Sequence, residues 1–240
     1  MRDGDKDRFL SSLFAPDAAR PHILALYAFN LEIARIRSSV SEPYIGLIRQ
    51  QWWLDTIDSI YSHEIPAHPV AQELARAVEV GTVPKHALRN LVIAREFDLY
   101  DDAMPNLAHL EGYLGETSSA LIQLVALVLA GPEASQSAEV AGLAGVAQGL
   151  AGLLRAKDRR FLPRDLVEKL GEAGVVAHLV EHARQRLGEA RALRDKIPAA
   201  ALPAFLPVSL TGLYLNRPGT NRSQFRRQIA MWWAARNNRF

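Results

Sequence analysis

The chain of 240 residues is long enough to bury a substantial core, and a composition of 49% hydrophobic and 22% charged residues excludes a disordered polymer. It holds no cysteine, which excludes a disulfide framework, a thiolate metal site and a cysteine nucleophile. The net charge of +2 conceals a division: seven basic residues and no acid follow Asp195, so the tail carries +7 and the first 195 residues −5.

The mixed-charge start leads into no long apolar run, so no secretory signal is expected. Ile23, Tyr27, Leu31 and Ala34 keep the spacing of an amphipathic helix. Ser41 is the expected N-cap of the next helix, with Pro43 in its first turn, where a missing N–H costs nothing. Ala71, Leu74, Ala75 and Val78 mark another, closed by Gly81, and Pro84 opens a further one that runs through Leu99. Apolar runs at 117–130 and 135–155 follow, separated by Gly131 and Pro132. The most apolar stretch, 120–130, falls short of the roughly 20 residues a spanning helix needs. Later helices are expected at 164–170, 175–195, 203–215 and 222–236, with 198–207 as the best candidate hinge. No strand-period alternation is bounded by hairpin turns, so the chain reads as an all-α single domain.

Several residues invite chemistry. Gly142, Gly145, Gly149 and Gly152 recur at steps of 3, 4 and 3 and share a helix face. Glycine costs roughly 1 kcal/mol against alanine in a helix, so this face either admits a close backbone or walls a pocket. Asp98, Asp101 and Asp102 share a face and could hold a metal, although a solvated acidic turn or a pairing with Arg95 is the stronger reading. Each tryptophan doublet, Trp52–Trp53 and Trp232–Trp233, should place one ring inside and one outside, because neighbouring helical residues point about 100° apart. His178 and His182 have metal-capable spacing, but Glu181 and Arg184 beside them indicate an exposed face. No nucleophile elbow, phosphate-binding glycine loop or dinucleotide fingerprint is present, and nucleic acid is not an expected partner.

The segment YAFNLEIARIR from Tyr27 to Arg37 resembles the first signature of squalene/phytoene synthases. RQQWWLD from Arg49, AREFDL from Ala94, GVAQGLAGLLR from Gly145 and RFLP from Arg160 are similar to that family's later blocks, in order. The resemblance covers roughly residues 5–215 and implies an isoprenoid-synthase-like helical fold around a central pocket. It also implies head-to-head coupling of prenyl diphosphates, whose leaving groups are gripped by magnesium ions on two aspartate clusters. Here the aspartates of the first cluster fall on Ala34, Arg35 and Ser38, and the leading aspartate of the second on Ala156. Magnesium requires oxygen ligands, and a cation at position 35 repels it. Both grips therefore read as lost, with Asp158 an uncertain substitute and Glu32 aimed about 200° away from the lost pair.

The blocks VSEP at Val40 and IRQQWW at Ile48 are most similar to one branch of that family, the NADH dehydrogenase (complex I) assembly factor 6-like proteins. That likeness implies a non-catalytic role in assembling respiratory complex I, with complex I subunits or intermediates as partners. Its expected location is cytoplasmic and peripheral at an inner membrane, on the matrix side in a eukaryote. No cofactor is expected; magnesium enters only with the alternative reading, a divergent prenyltransferase. Tyr27, Gln51, Gly149 and Gly152 are candidate pocket residues, with Arg35, Arg155 and Arg159 as candidate contacts for an anion or lipid headgroup. Residues 216–240 are expected to form a basic amphipathic helix, on which Arg222, Arg226, Arg227, Trp233 and Arg236 would dock on a membrane or partner.

Overall fold

The computed structural model describes residues 4–220 and 223–240, and among these no strand occurs. Asp5 opens α1 (Lys6–Ser12) by accepting the Arg8 amide at 3.0 Å, which satisfies one free N–H of the first turn. α2 (Arg20–Ala34) and α3 (Pro43–Tyr61) follow, each with a proline in its first turn. Glu42, not Ser41, occupies the N-cap position of α3, and no side chain caps it. Pro43 fixes the backbone there, so the helix starts without the expected hydroxyl. α4 (Pro69–Gly81) and α5 (Lys85–Ala94) lie where expected, but after α5 the chain tightens into a 3₁₀ turn, Arg95–Leu99.

α6 (Leu107–Leu114) passes through a wide π turn, Gly115–Ser119, into α7 (Ala120–Ala130), and α8 (Ala138–Ala156) returns beside both. By length and composition the helical run Leu107–Ala156 could cross a membrane, which the shorter stretch 120–130 could not. Half of its most apolar window is buried, and Leu121, Leu124 and Val125 lie in the core, so it packs as an interior hairpin. α9 (Arg164–Ala192) is broken at Gly171, where φ is +67°, in the gap between the two helices expected there. α10 (Leu202–Phe205) and α11 (Thr211–Leu215) are short, and the segment around them is core rather than hinge, since Phe205, Leu206 and Val208 are buried.

Two apolar cores meet at α8. Phe29, Ile57, Leu74, Leu91 and Leu124 build the larger one with the first half of α8. Leu110, Leu150, Val175, Leu179 and Met231 build the second around its last turns. Met231 belongs to α12 (Gln224–Arg236), which Ser223 caps and which lies against the turn at 206–210. One helix thus carries the registration of both halves, and its glycine face decides how closely the 115–119 turn approaches.

That face does both things expected of it, at different positions. A Cβ at Gly145 would lie 2.3 Å from the Ser119 Cα, and one at Gly149 2.5 Å from Leu114 Cδ2. Gly142 and Gly152 have nothing within 4 Å. Ser119 also donates its hydroxyl to the Gly142 carbonyl at 2.8 Å, which holds the close approach. Gly145→Ala is therefore expected to destabilise by about 1–3 kcal/mol through overpacking against backbone. Gly152→Ala should instead stabilise by about 0.5–1 kcal/mol, as removal of helical glycine does in open space. Urea midpoints of the two variants check this opposition of sign.

Candidate functional site

The ends of α2, α5, α6 and α8 converge on a surface cavity of about 410 Å³. Ala34 and Ser38 form one wall, so two of the degenerate positions do face a common space, and Asp98, Asp101 and Asp158 face it from the other elements. Arg35 does not. Its side chain is exposed and its guanidinium lies over Gly4, so Arg37 takes the place facing the aspartates. Ala156 is exposed at the end of α8.

Each of the three carboxylates has an arginine. Arg95 reaches Asp98 at 3.0 Å, the pairing favoured by the sequence, and Tyr113 donates its hydroxyl to the same carboxylate at 2.7 Å. Burial pushes the Tyr113 phenol well above its ordinary pKa, so it remains a donor at neutral pH. Arg160 grips Asp158 through two nitrogens at 2.6 and 3.0 Å and donates to the carbonyls of Asp98 and Tyr100, both at 3.0 Å. Arg37 reaches Asp101 at 3.4 Å. The hydrogen bonds from Arg160 outweigh burial and hold the Asp158 carboxyl below the usual carboxylate range. Asp102 is exposed and takes no part in the cavity wall.

These residues do not fit a magnesium–diphosphate grip. Magnesium needs several free oxygen ligands in near-octahedral order. Here the carboxylates of Asp98 and Asp158 are committed to guanidinium groups, Asp101 is exposed at the edge, Ala34 offers no ligand, and Arg37 adds a cation. Among the described residues, no group of three or more His, Asp or Glu side chains is placed to hold a metal. His182 bonds Glu111 at 2.8 Å and is partly buried, which departs from the exposed face expected for that helix.

Behind the mouth lies a smaller cavity of about 200 Å³, walled by Gly149 and Gly152 together with Arg95, Gln148, Arg155 and Thr211. The Thr211 hydroxyl and the Gln148 amide oxygen are buried there without hydrogen-bond partners among the described residues. Arg155 faces this cavity, yet its charge is shared with Asp7 at 3.5 Å, and its guanidinium stacks over Tyr214 at 4.5 Å. Arg227 and the Tyr214 hydroxyl each meet Asp7 at 2.5 Å. Asp7 thus ties α1, α8, α11 and α12 together, and sequence spacing offered no sign of it because its partners lie 148 to 220 residues away.

The other candidate residues separate. Tyr27 is buried in the core beneath Arg8, with burial raising its phenol to about 12, and does not line the cavity. Gln51 is exposed on α3 and bonds Asp55 at 2.7 Å. Arg159 is exposed and paired with Glu172 at a different opening. Trp53 is 4% exposed against 41% for Trp52, as a helical doublet requires. Trp232 and Trp233 break that expectation at 55% and 52%, because Met231 and Ala234 supply the buried face of α12. Arg226, Trp233 and Arg236 remain on the open side, whereas Arg227 is turned inward to Asp7 and is not a docking residue. Arg222 lies outside the described residues.

A bundle of this kind, with two signature walls facing across a mouth, is an isoprenoid-synthase-like fold, and the chain belongs to the squalene/phytoene synthase family: the family match spans residues 1–233 and so runs on into α12. Within that family it is similar to "NADH dehydrogenase (ubiquinone) complex I, assembly factor 6" of Bos taurus, at 35% identity over 237 residues, 90% of this chain and 71% of that protein. The Homo sapiens protein of the same name is 34% identical, over 86% and 68% of the two chains. Among solved structures, squalene synthase HpnC from Alicyclobacillus acidocaldarius aligns with a TM-score of 0.74 at 16% identity, over all of this chain and 92% of that one. A dehydrosqualene synthase in complex with ligand aligns at 0.81 and 14%, over 98% and 92%. At such identities the structural likeness speaks for the fold alone.

The sign of the Asp158 shift gives a test. A lowered folded-state pKa contributes stability above the ordinary value of about 4 and loses it as pH falls through the lowered one. Asp158→Asn should lower Tm at pH 7, and the gap to the unaltered protein should close below about pH 4. A gap that stays constant across a Tm–pH series would refute the pairing as a stabilising contact.

Proposed function

We propose that this chain assists the assembly of respiratory complex I and does not catalyse prenyl transfer. The observation that carries the second half is the mouth of the bundle, where arginines stand on the aspartates that magnesium would need. The relatives named as complex I assembly factor 6 support the first half, through 33–35% identity across most of the chain. The fold then works as a shaped helical surface, and complex I subunits or intermediates are the partners. A prenyl or acyl lipid is kept as a ligand rather than a substrate.

The assembly site is the inner face of an energy-coupling membrane, which the chain visits peripherally. α12 suits such a visit: Phe225, Ile229, Trp232 and Trp233 are exposed beside Arg226, Arg236 and Arg239. Arg236 lies over the Trp232 ring and Arg239 over Trp233, each at 5.9 Å, so the cations sit at the level where an interfacial ring meets a headgroup. Basic side chains near an anionic leaflet contribute about 1 kcal/mol each, and that attraction falls off within a Debye length.

Deleting the gene should lower assembled complex I and its NADH-oxidising activity in the source cell, with restoration by the unaltered gene; normal activity in the deletion strain would sink the assembly reading. Purified protein given farnesyl or geranylgeranyl diphosphate with Mg²⁺ should release no pyrophosphate, and metal-dependent release would favour a prenyltransferase instead. Arg226→Glu with Arg236→Glu should abolish co-sedimentation with phosphatidylserine vesicles at low salt while leaving Tm unchanged, since neither guanidinium is held by an acid among the described residues.

A further inference from the structure

The leucine-bearing face of α8, about 100° round from its glycines, borders a third cavity, of about 350 Å³, which adjoins the mouth and shares Leu153, Asp158 and Phe161 with it. Its wall is built by Leu110, Leu150, Leu154, Phe161, Val176 and Leu179, from α6, α8, the 159–161 turn and α9. A space of that size falls within the roughly 300–1,000 Å³ of small-molecule sites, and an apolar lining with few polar groups is what such sites share. The break at Gly171 opens it, because the chain leaves the helix there and resumes with Glu172 and Ala173 at the rim.

The rim is cationic by a specific device. Lys157 ends α8 in the left-handed conformation, at φ +57°. Glycine is the usual residue at that position, because a Cβ is crowded there. The lysine stem packs on Gly219, where a Cβ would lie 2.3 Å from Lys157 Cε. Its neighbours at the rim are already neutral: Arg159 is paired with Glu172, and Asp158 is held by Arg160. The Lys157 ammonium has no carboxylate within 4 Å among the described residues. An oily cavity therefore ends at a positive charge that no carboxylate among the described residues neutralises.

We propose that this cavity binds a single-chain lipid whose tail enters among the leucines and whose anionic head, a carboxylate or a phosphate, meets Lys157. The proposal rests on the lipid-binding part of the function above and is independent of the assembly role. It places the ligand beside the mouth rather than in it, since Ala34 and Ser38 line the mouth and not this cavity.

The full-length protein, stripped of lipid, is titrated with dodecanoate, dodecyl phosphate and dodecanol by isothermal calorimetry. Saturable one-to-one binding of at least one anionic probe, with dodecanol about tenfold or more weaker, is expected. Ala173→Trp, a substitution at an exposed rim position, should abolish binding with Tm kept. Lys157→Glu should weaken the anionic probes about tenfold and Lys157→Arg should retain them. Preference between the two anionic probes identifies the head. Dodecanol binding as tightly as the anions overturns the role of Lys157. Binding that Ala173→Trp leaves intact overturns this site while lipid binding itself stands, and no binding of any probe to folded protein overturns both.

Discussion

The carboxylates of Asp98 and Asp158 are largely buried at the mouth of the bundle, with exposed Asp101 beside them, and buried charges of one sign cannot share a small space without a counter-charge. In this molecule the counter-charge is guanidinium from the same chain. Arg95, Arg37 and Arg160 bring it from three elements, and Arg160 also fixes the carbonyls of Asp98 and Tyr100. The neutralisation is therefore structural as well as electrostatic. It locks the 95–104 segment against the 158–164 segment, a junction continued by backbone bonds from Met104 to Arg160 and from Arg164 to Met104 at 2.7 and 2.8 Å. A divalent ion does this work only while it is bound; arginine does it permanently.

Around that junction α8 divides the interior. Its glycines let the π turn come within backbone contact on one face, and its leucines border an apolar cavity on the adjacent face. The space on the glycine side is small and polar, with Arg155 already neutralised by Asp7. The space on the leucine side is larger and apolar, with a cation at its edge. Desolvation explains the difference in what each can receive: an apolar chain loses nothing by entering the second, whereas in the first it would strip water from Thr211, Gln148 and Arg155.

The basic tail is similarly divided by packing. Periodicity alone would give its arginines one common role, since Arg226, Arg227 and Arg236 share a short helix without acids. Met231 and Ala234 turn that helix so that Arg227 points inward to Asp7 while its neighbours face out. Asp7 in turn holds the N-terminal helix against three later elements, so removal of its charge would leave both Arg227 and Arg155 without their carboxylate.

Most of the helices were legible in the sequence, because the 3.6-residue period and the prolines and glycines that bound it are local properties. Missing carboxylates were legible too: Ala34, Ser38 and Ala156 bring none to those positions in any fold. Arg35 shows where that reading stops. Two residues, about 200° of helical register, separate its exposed position from that of Arg37, and only the end of α2 settles which guanidinium enters the mouth. Asp7, Tyr113 and Lys157 carried no signal at all, since their significance comes from partners or spaces assembled across the chain. The sequence by itself determined the class of fold and the positions that carry no carboxylate. The tertiary structure decided which charges meet, which cavity is polar and which is oily, because those depend on distances that close only when the helices pack.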